Sequence, residues 1–388
     1  MNSGKTKILF VSHDANYSGA PIILLNTIKW LSSNSDFELA VLFQKNGELI
    51  DEFTKYVKII YKYFNIRNNN KKILNRIYNK YVYPFNLKKI LASVYKENYD
   101  IIFANSIACN YFIKNYDNRG NAKIITNVLE LEYTFHSFKI DRNSAIMENS
   151  DLFICMNKSV SENLVANHNI DQKKIKTINS ITGYVTNKSN KKELLKKIGV
   201  PENSIIIGAS GTVEWRKGSD LFIQLALIYR NKYGLDNLYF VWAGKFSSGI
   251  EKYNIIHDIE KAGLQGKVLF VGEITEVNDY YSAFDIFTLM SREEALGIVC
   301  IENMALGNPI ICFEKCGGME DVADTGAAIK VPYLNIESMS DEIHKLILDK
   351  EHYNLLSKKS TDYVNKEFNN NVLGKKYLEV FDKMLYNR

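Results

Sequence analysis

Short apolar runs alternate with longer amphipathic stretches along the whole chain. In the first half the runs are KILFVS from Lys7, ELAVLF from Glu38, VKIIY from Val57, DIIFANS from Asp100, KIIT from Lys123 and DLFICM from Asp151. Helical periodicity fills the intervals at 21–31, 87–97 and 159–167. In the second half the runs are SIIIGAS from Ser204, LYFVWAG from Leu238, KVLFVG from Lys267, DIFTLMS from Asp285, PIICF from Pro309 and AAIKV from Ala327. They are rich in Ile, Val, Leu and Phe and lack strict alternation, as expected of strands covered by helices on both faces. Repeated strand–helix units predict an open parallel sheet in each half, hence an α/β protein with two Rossmann-like, doubly wound domains. The polar stretch TNKSNKK places the join near 183–192. The expected domains are therefore 1–185, 186–365, and a C-terminal helical segment 366–388 that packs back on the first. The whole tail from Tyr353 reads as helix, with Tyr363, Phe368, Leu373, Tyr377, Val380, Phe381 and Leu385 at its apolar positions.

A length of 388 residues suits two domains, and 46% hydrophobic with 24% charged residues excludes a mostly disordered chain. The opening apolar run, 8–12, is too short for a signal peptide, and no later run reaches the roughly 18 apolar residues of a spanning helix. Five scattered cysteines do not form a disulfide framework, and Cys312 and Cys316 have no nearby ligands to make a zinc site. The expectation is a cytoplasmic protein. The net charge of +5 is uneven: residues 1–190 hold 25 Lys and Arg against 16 Asp and Glu, whereas 191–388 hold 24 against 28. Within 61–96 lie Lys62, Arg67, Lys71, Lys72, Arg76, Lys80, Lys88, Lys89 and Lys96, with no acidic residue. Tyr61, Tyr63, Phe64, Tyr78, Tyr81, Tyr83 and Phe85 are interleaved with them. Cations with interfacial aromatics suit an anionic membrane surface, which would make the protein peripheral at the inner face; a solvated helical insert carries the same composition. No nucleic-acid-binding module is recognisable.

The most informative stretch is 291–310, SREEALGIVCIENMALGNPI, where a strand enters a polar loop and then a helix. Gly297 lets a ligand approach the backbone, and the N–H groups of Gly297, Ile298 and Val299, next to Leu296, form a phosphate-type anion site. Glu302, one turn in, leans back toward that start, and Glu294 lies eight positions earlier at the ligand's other end. Two acids around a phosphate site fit a diphosphate between two hydroxyl-rich rings, as in a nucleotide sugar. In the second loop, from Ala209, Arg216 and Lys217 lie just before a helix and face the same crevice if their strand neighbours the first. Arg forks phosphate oxygens and Lys supplies a movable charge.

These segments resemble the retaining GT-B glycosyltransferases of family 4. Their hallmark of two glutamates with seven residues between them in S-x-x-E-G-F-G-x-x-x-x-E-A-M-A-x-G-x-P is matched by Ser291, Glu294, Gly297, Glu302, Met304, Ala305, Gly307 and Pro309. The family's G-R-(five residues)-K-G loop is matched by Gly211, Lys217 and Gly218, and a later G-G-x-x-E more loosely by Gly317, Gly318 and Glu320. SHDANYSGAPIILL resembles the first loop, with Gly19 at the glycine turn over the donor diphosphate. The resemblance implies a GT-B fold with two domains facing a cleft, and metal-independent hexosyl transfer from a UDP- or GDP-sugar to a glycan or polyprenyl-linked acceptor of the cell envelope. It implies Glu294, Lys217 and Arg216 as catalytic residues, and Gly19, Gly211, Leu296, Gly297, Ile298, Val299 and Glu302 around the donor. The backbone of Ile274 would meet the nucleobase. No Asp-x-Asp motif is present to bridge the diphosphate through a metal.

Three departures matter. Thr212 stands where many members carry Arg, with Arg216 as the substitute cation. Asn303 replaces the usual Ala after the second glutamate. Leu129 opens a Leu-Glu-Leu-Glu run where relatives read His-Glu-Leu-Glu, leaving His136 as the nearest replacement on the sugar side. His13, after the first strand, is a further acceptor-side candidate. Two alternatives stay open: a catalytically silent GT-B subunit that positions another transferase, and a nucleotide-sugar epimerase on the same fold.

Overall fold

The computed structural model describes residues 5–62, 83–116, 122–184 and 186–386. The chain forms two compact units, one of Met1–Gly183 with Phe368–Arg388 and one of Tyr184–Glu367. Each is a parallel sheet flanked by helices.

In the first unit the strands are β1 (Lys7–Ser12), β2 (Glu38–Phe43), β3 (Ile59–Lys62), β4 (Ile101–Asn105), β5 (Lys123–Val128), β6 (Leu152–Cys155) and β7 (Ile175–Thr177). Their spatial order is β3-β2-β1-β4-β5-β6-β7, with every pair parallel. Phe10 on β1 sits opposite Val41 on β2 and Phe103 on β4, and all three are buried. That register explains the unbroken apolar runs: consecutive residues point to opposite faces, and both faces are covered. β7 has no counterpart among the apolar runs, because its three residues IKT are all at least partly exposed.

In the second unit β8 (Ile205–Ser210), β9 (Leu238–Ala243), β10 (Val268–Gly272), β11 (Ile286–Leu289), β12 (Ile310–Phe313) and β13 (Ile329–Val331) follow the order β10-β9-β8-β11-β12-β13, again all parallel. The chain order therefore reverses between β8 and β11, the place in an open parallel sheet where ligand sites form at the carboxyl ends of the strands. The core beside β8 is aromatic. Phe222 lies edge-on to Phe240 and Trp242, and Trp242 stacks on Phe270 at 5.6 Å. The Trp242 indole N–H also donates to the carbonyl of Gly211 at 2.9 Å, which fixes the first residue of the loop after β8.

The tail is two helices rather than one. Lys350–Glu367 belongs to the second unit and Asn370–Tyr386 to the first, with a break at 368–369. Asn369 causes the break: its side-chain oxygen accepts from the N–H groups of Asn371 and Val372 at 3.1 and 3.2 Å, capping a new helix. The last helix then buries Tyr377 and Phe381 in the first unit's core, with Phe381 edge-on to Phe103 at 5.8 Å. All five cysteines are buried and free. No helix among the described residues is long and apolar enough to cross a membrane.

Candidate functional site

Three loops of the second unit are tied together at the reversal between β8 and β11. The loop after β8 ends in a 3₁₀ turn, Trp215–Lys217, stopped by Gly218 in the left-handed region at φ 75°. A Cβ on Gly218 would strike the carbonyl of Met290, at the end of β11, so only glycine lets the turn sit there. The loop after β11 answers with Arg292: its N–H donates to the Arg216 carbonyl at 2.8 Å, and its guanidinium forks the Asp220 carboxylate at 2.8 and 3.0 Å. The third loop follows β12. The Glu294 N–H donates to the Cys316 carbonyl at 2.6 Å, and the Gly318 N–H donates to the Glu294 carbonyl at 3.1 Å. Glu294 is thus held by its backbone on both sides. Glu320 serves the same loop from below, accepting from the Lys315 N–H at 2.8 Å and pairing with Lys330 at 3.5 Å.

This scaffold brings Glu294, Lys217 and Arg216 into one cluster. One Glu294 oxygen accepts from the Lys217 ammonium and from Arg216 at 3.4 Å, with the Ser291 hydroxyl also at 3.4 Å. Arg216 is anchored elsewhere by the Glu293 carbonyl at 2.9 Å and the Glu214 carboxylate at 3.2 Å. The three side chains are 14%, 15% and 20% exposed respectively. Burial alone would push the Glu294 carboxyl up, but Lys217 and Arg216 outweigh it and hold it below the ordinary carboxylate range. Glu294 is therefore an anion near neutral pH, suited to accepting hydrogen bonds and not to donating a proton. Gly211 lies against the Lys217 stem: a Cβ there would come within 3.3 Å of it.

The helix Ile298–Ala305 begins beside the cluster, with Gly297 as its cap at φ 73°. A Cβ on Gly297 would lie 3.4 Å from the Glu294 side chain, which places the helix start and the ion cluster next to each other. Leu296 is buried, while Ile298 and Val299 are half-buried, and the first N–H groups of a helix have no acceptor within it. Glu302 has no hydrogen-bond or ion-pair partner for its carboxyl among the described residues, and burial pushes that carboxyl up to about 7. Ile274 lies in the loop 273–276 after β10 and is half-buried.

The remaining candidates belong to the first unit. Gly19 opens the helix Gly19–Asn34 after β1, and the carbonyl of Ala20 accepts from Asn105 at 2.8 Å. His13 faces Asp14 at 3.4 Å, and burial pulls its imidazole down, assisted by Lys45 and opposed by Asp14. Leu129 carries no polar side chain, and its N–H donates to Glu130 at 2.9 Å. His136 sits on the helix Glu132–Phe138, 82% exposed, facing Glu132 at 3.5 Å. It lines a pocket of about 550 Å³ with His168, Lys139 and Arg142, a feature that the sequence reading did not contain. Most of the basic segment 61–96 lies outside the described residues, at 63–82.

The paired parallel sheets and the loop cluster at a strand-order reversal define a two-Rossmann, GT-B-type protein. Residues 190–363, most of the second unit, match the family described as Glycosyl transferases group 1. The O-antigen biosynthesis glycosyltransferase WclY of Escherichia coli is 33% identical over 116 residues, 30% of each chain. The N,N'-diacetylbacillosaminyl-diphospho-undecaprenol alpha-1,3-N-acetylgalactosaminyltransferase of Campylobacter jejuni is 24% identical over 275 residues, 68% of this chain and 65% of its own. The match thus spans under a third of WclY and about two thirds of the Campylobacter enzyme. In fold, the chain is similar to HepE of Anabaena, solved in complex with UDP and glucose, with a TM-score of 0.82 at 15% identity over 97% of this chain and 99% of that one.

Proposed function

We propose that the protein is a retaining glycosyltransferase that moves a hexosyl group from a UDP- or GDP-sugar to a glycan or polyprenyl-linked acceptor during cell-envelope polysaccharide synthesis. The observation that carries this is the clamped Glu294–Lys217–Arg216 cluster beside the Gly297 helix start. Breaking the bond between the sugar C1 and the diphosphate oxygen leaves charge on the diphosphate. Lys217, Arg216 and the helix start are fixed donors for that charge and need no reorganisation as it develops. Glu294, kept ionised by the same cations, accepts from sugar hydroxyls and orients the ring. Glu302 accepts from the ribose hydroxyls. The acceptor hydroxyl attacks from the face the diphosphate leaves, and its proton passes to the departing phosphate oxygen. No carboxylate is assigned the part of covalent nucleophile. The donor class is supported by the UDP complex of HepE, and the acceptor class by the undecaprenol-linked and O-antigen relatives.

The test is a panel of UDP- and GDP-sugars with lipid-linked and soluble glycan acceptors in excess EDTA. Nucleotide release should depend on acceptor and survive EDTA, and the product anomer should match the donor's by NMR. An inverted product, or activity restored only by Mg²⁺ or Mn²⁺, would overturn the protein-only, retaining reading.

A further inference from the structure

The second unit turns aromatic side chains to solvent at a place where its own scaffold holds them fast. Trp215, in the turn before Arg216 and Lys217, is 57% exposed although Arg292 grips it twice. The Arg292 guanidinium lies 4.7 Å from the indole ring centre and donates to the Trp215 carbonyl. The same guanidinium forks Asp220, so one face of the indole rests on a cation that is fixed in place. Tyr333, in the loop after β13, reaches the same residue. Its hydroxyl lies 3.5 Å from the Arg292 carbonyl and its ring meets Phe313 edge-on at 6.3 Å, yet it is 43% exposed. Tyr333 and Leu334 form the corner of a four-residue turn closed by the Asn335 N–H on the Pro332 carbonyl at 2.9 Å. Leu334 is 38% exposed and sits at φ 59°, a conformation that such turns ordinarily give to Gly or Asn. The exposed parts of these three side chains add nothing to the core. A strained leucine and two pinned aromatic rings facing water mark a surface that meets another molecule.

Charge and size narrow the partner. The charged residues of 214–220 and 291–294 are Glu214, Arg216, Lys217, Asp220, Arg292, Glu293 and Glu294, three cations against four anions. The cations are paired with acids of the same group, so the surface has no surplus to attract an anionic bilayer. Three side chains also fall far short of the ~800 Å² that each partner buries in a stable protein pair. A sugar ring meets both limits. It is neutral and small, with an apolar C–H face for the aromatic rings and hydroxyls at its rim for Asp220, whose side chain is 39% exposed. We propose that Trp215, Tyr333 and Leu334 form a binding surface for neutral sugar rings of the acceptor glycan, those beyond the ring that receives the hexosyl group. The occupant follows from continuity with the transfer site. Trp215 precedes Arg216 in the chain, and the Arg292 N–H donates to the Arg216 carbonyl at 2.8 Å, so the surface begins at the edge of the Glu294–Lys217–Arg216 cluster. Naming the glycan as acceptor rests on the transferase reading; its binding does not.

The test is retention of the full chain on an array of O-antigen and capsular oligosaccharides, followed by calorimetric titration with the retained oligosaccharide and its shorter fragments. The wild type should be retained by neutral oligosaccharides, and affinity should rise by about tenfold from a single ring to the longer chain. Trp215 is one of three tryptophans and Trp242 is buried, so the bound oligosaccharide should also shield the emission from acrylamide quenching. Trp215→Ala and Tyr333→Ala should each weaken binding by about tenfold, and Trp215→Phe should keep most of it. UDP and GDP titrated into the wild type report on the other reading separately. If the oligosaccharide binds and neither nucleotide does, the surface stands and the transferase reading falls. Retention by no glycan, or equal retention of the wild type and Trp215→Ala, overturns the surface. Retention by acidic glycans alone, fading with salt, overturns the assignment to neutral rings. A wild-type dimer in sedimentation that Trp215→Ala splits gives the patch to a second copy of the chain and overturns the proposal as well.

Discussion

At the scale of single residues, the two acids of the second unit live in opposite environments. Glu294 is ionised because Lys217 and Arg216 overcome its burial, whereas Glu302 has burial alone and is pushed up to about 7. In the proposed mechanism Lys217 is a preorganised donor to the departing diphosphate, so for Lys217→Ala turnover in a transfer assay should fall by ~10²–10³. A fall below tenfold would leave Lys217 as scaffold only. For Glu302 the sign runs against the usual carboxylate case. Between the ordinary value near 4.5 and about 7, the folded protein keeps a proton that the unfolded chain has released. Stability therefore declines as pH rises through that window and is level above it, by on the order of 3 kcal/mol in total. Glu302→Gln should abolish the decline, matching wild type in urea unfolding at pH 4 and exceeding it at pH 8; parallel profiles would refute the buried, unpartnered carboxyl. Binding responds in the other direction. In the proposed donor site Glu302 accepts from the ribose hydroxyls, which its ionised form does better, so wild-type nucleotide affinity should rise from pH 6 to pH 8. Glu302→Ala should be weaker by ten- to hundredfold at pH 8 and flat with pH.

At the scale of elements, the last helix shows how a small residue can decide packing. Gly374 lies where the helix Asn370–Tyr386 crosses the helix Gly19–Asn34, and a Cβ there would enter the Trp30 ring, whose N–H donates to Asn371 at 3.0 Å. Alanine would add about 1 kcal/mol of helix propensity, but overpacking against a rigid indole costs ~1–3 kcal/mol. Gly374→Ala should therefore lower the unfolding midpoint of the first unit, and a raised midpoint would show that the helices can part without loss. The same element marks a limit of the sequence. The apolar residues of the tail are legible as a helical stripe, but the period runs on through Phe368, so the Asn369 cap that splits the helix carries no signal in it. The strands β1–β6 and β8–β13 are legible as apolar runs, fully buried in β4, β11 and β12 and more exposed in β3, β10 and β13; β7, the three residues IKT, is too short and polar to form such a run. In the site, Lys217, Glu294 and the Gly297 helix start are readable as charged and glycine positions at loop ends. The clamps that set their distances are not. Backbone bonds from Glu294 to Cys316 and Gly318 have no side-chain signature, and the Arg292–Asp220 fork joins residues far apart in the chain. The first unit's pocket was missed for a related reason: His168 and Glu132 belong to different helices, and only the fold makes them neighbours.

At the scale of the whole molecule, the dominant feature is the excess of nine basic over acidic residues in 1–190, much of it within 61–96. Apart from Tyr61 and Lys62 at the end of β3, the described part of that segment lies in the helix Tyr83–Glu97, whose Leu87, Leu91 and Val94 are buried, while Lys88, Lys89 and Lys96 are exposed. Phe85 is 56% exposed on the same helix, with the Lys89 ammonium 4.7 Å from its ring centre. An exposed aromatic among cations, with acids absent from the segment, is the combination expected to attach to the headgroup region of an anionic bilayer. The magnitude is testable because each lysine near an anionic surface contributes about 1 kcal/mol, and that attraction decays over a Debye length of ~8 Å at physiological salt. Flotation of the full chain should therefore be stronger with phosphatidylglycerol than with phosphatidylcholine vesicles and should fade with added salt. Lys88→Ala/Lys89→Ala should weaken partitioning by about 2 kcal/mol, or some thirtyfold, and Phe85→Ala should weaken it with little change in salt dependence. Both lysines belong to the first unit and the Glu294–Lys217–Arg216 cluster to the second, so UDP affinity measured in solution should not change in these variants. Equal flotation with both lipids would mean that the positive segment is a solvated insert, and that a polyprenyl-linked acceptor is reached without help from the membrane's charge.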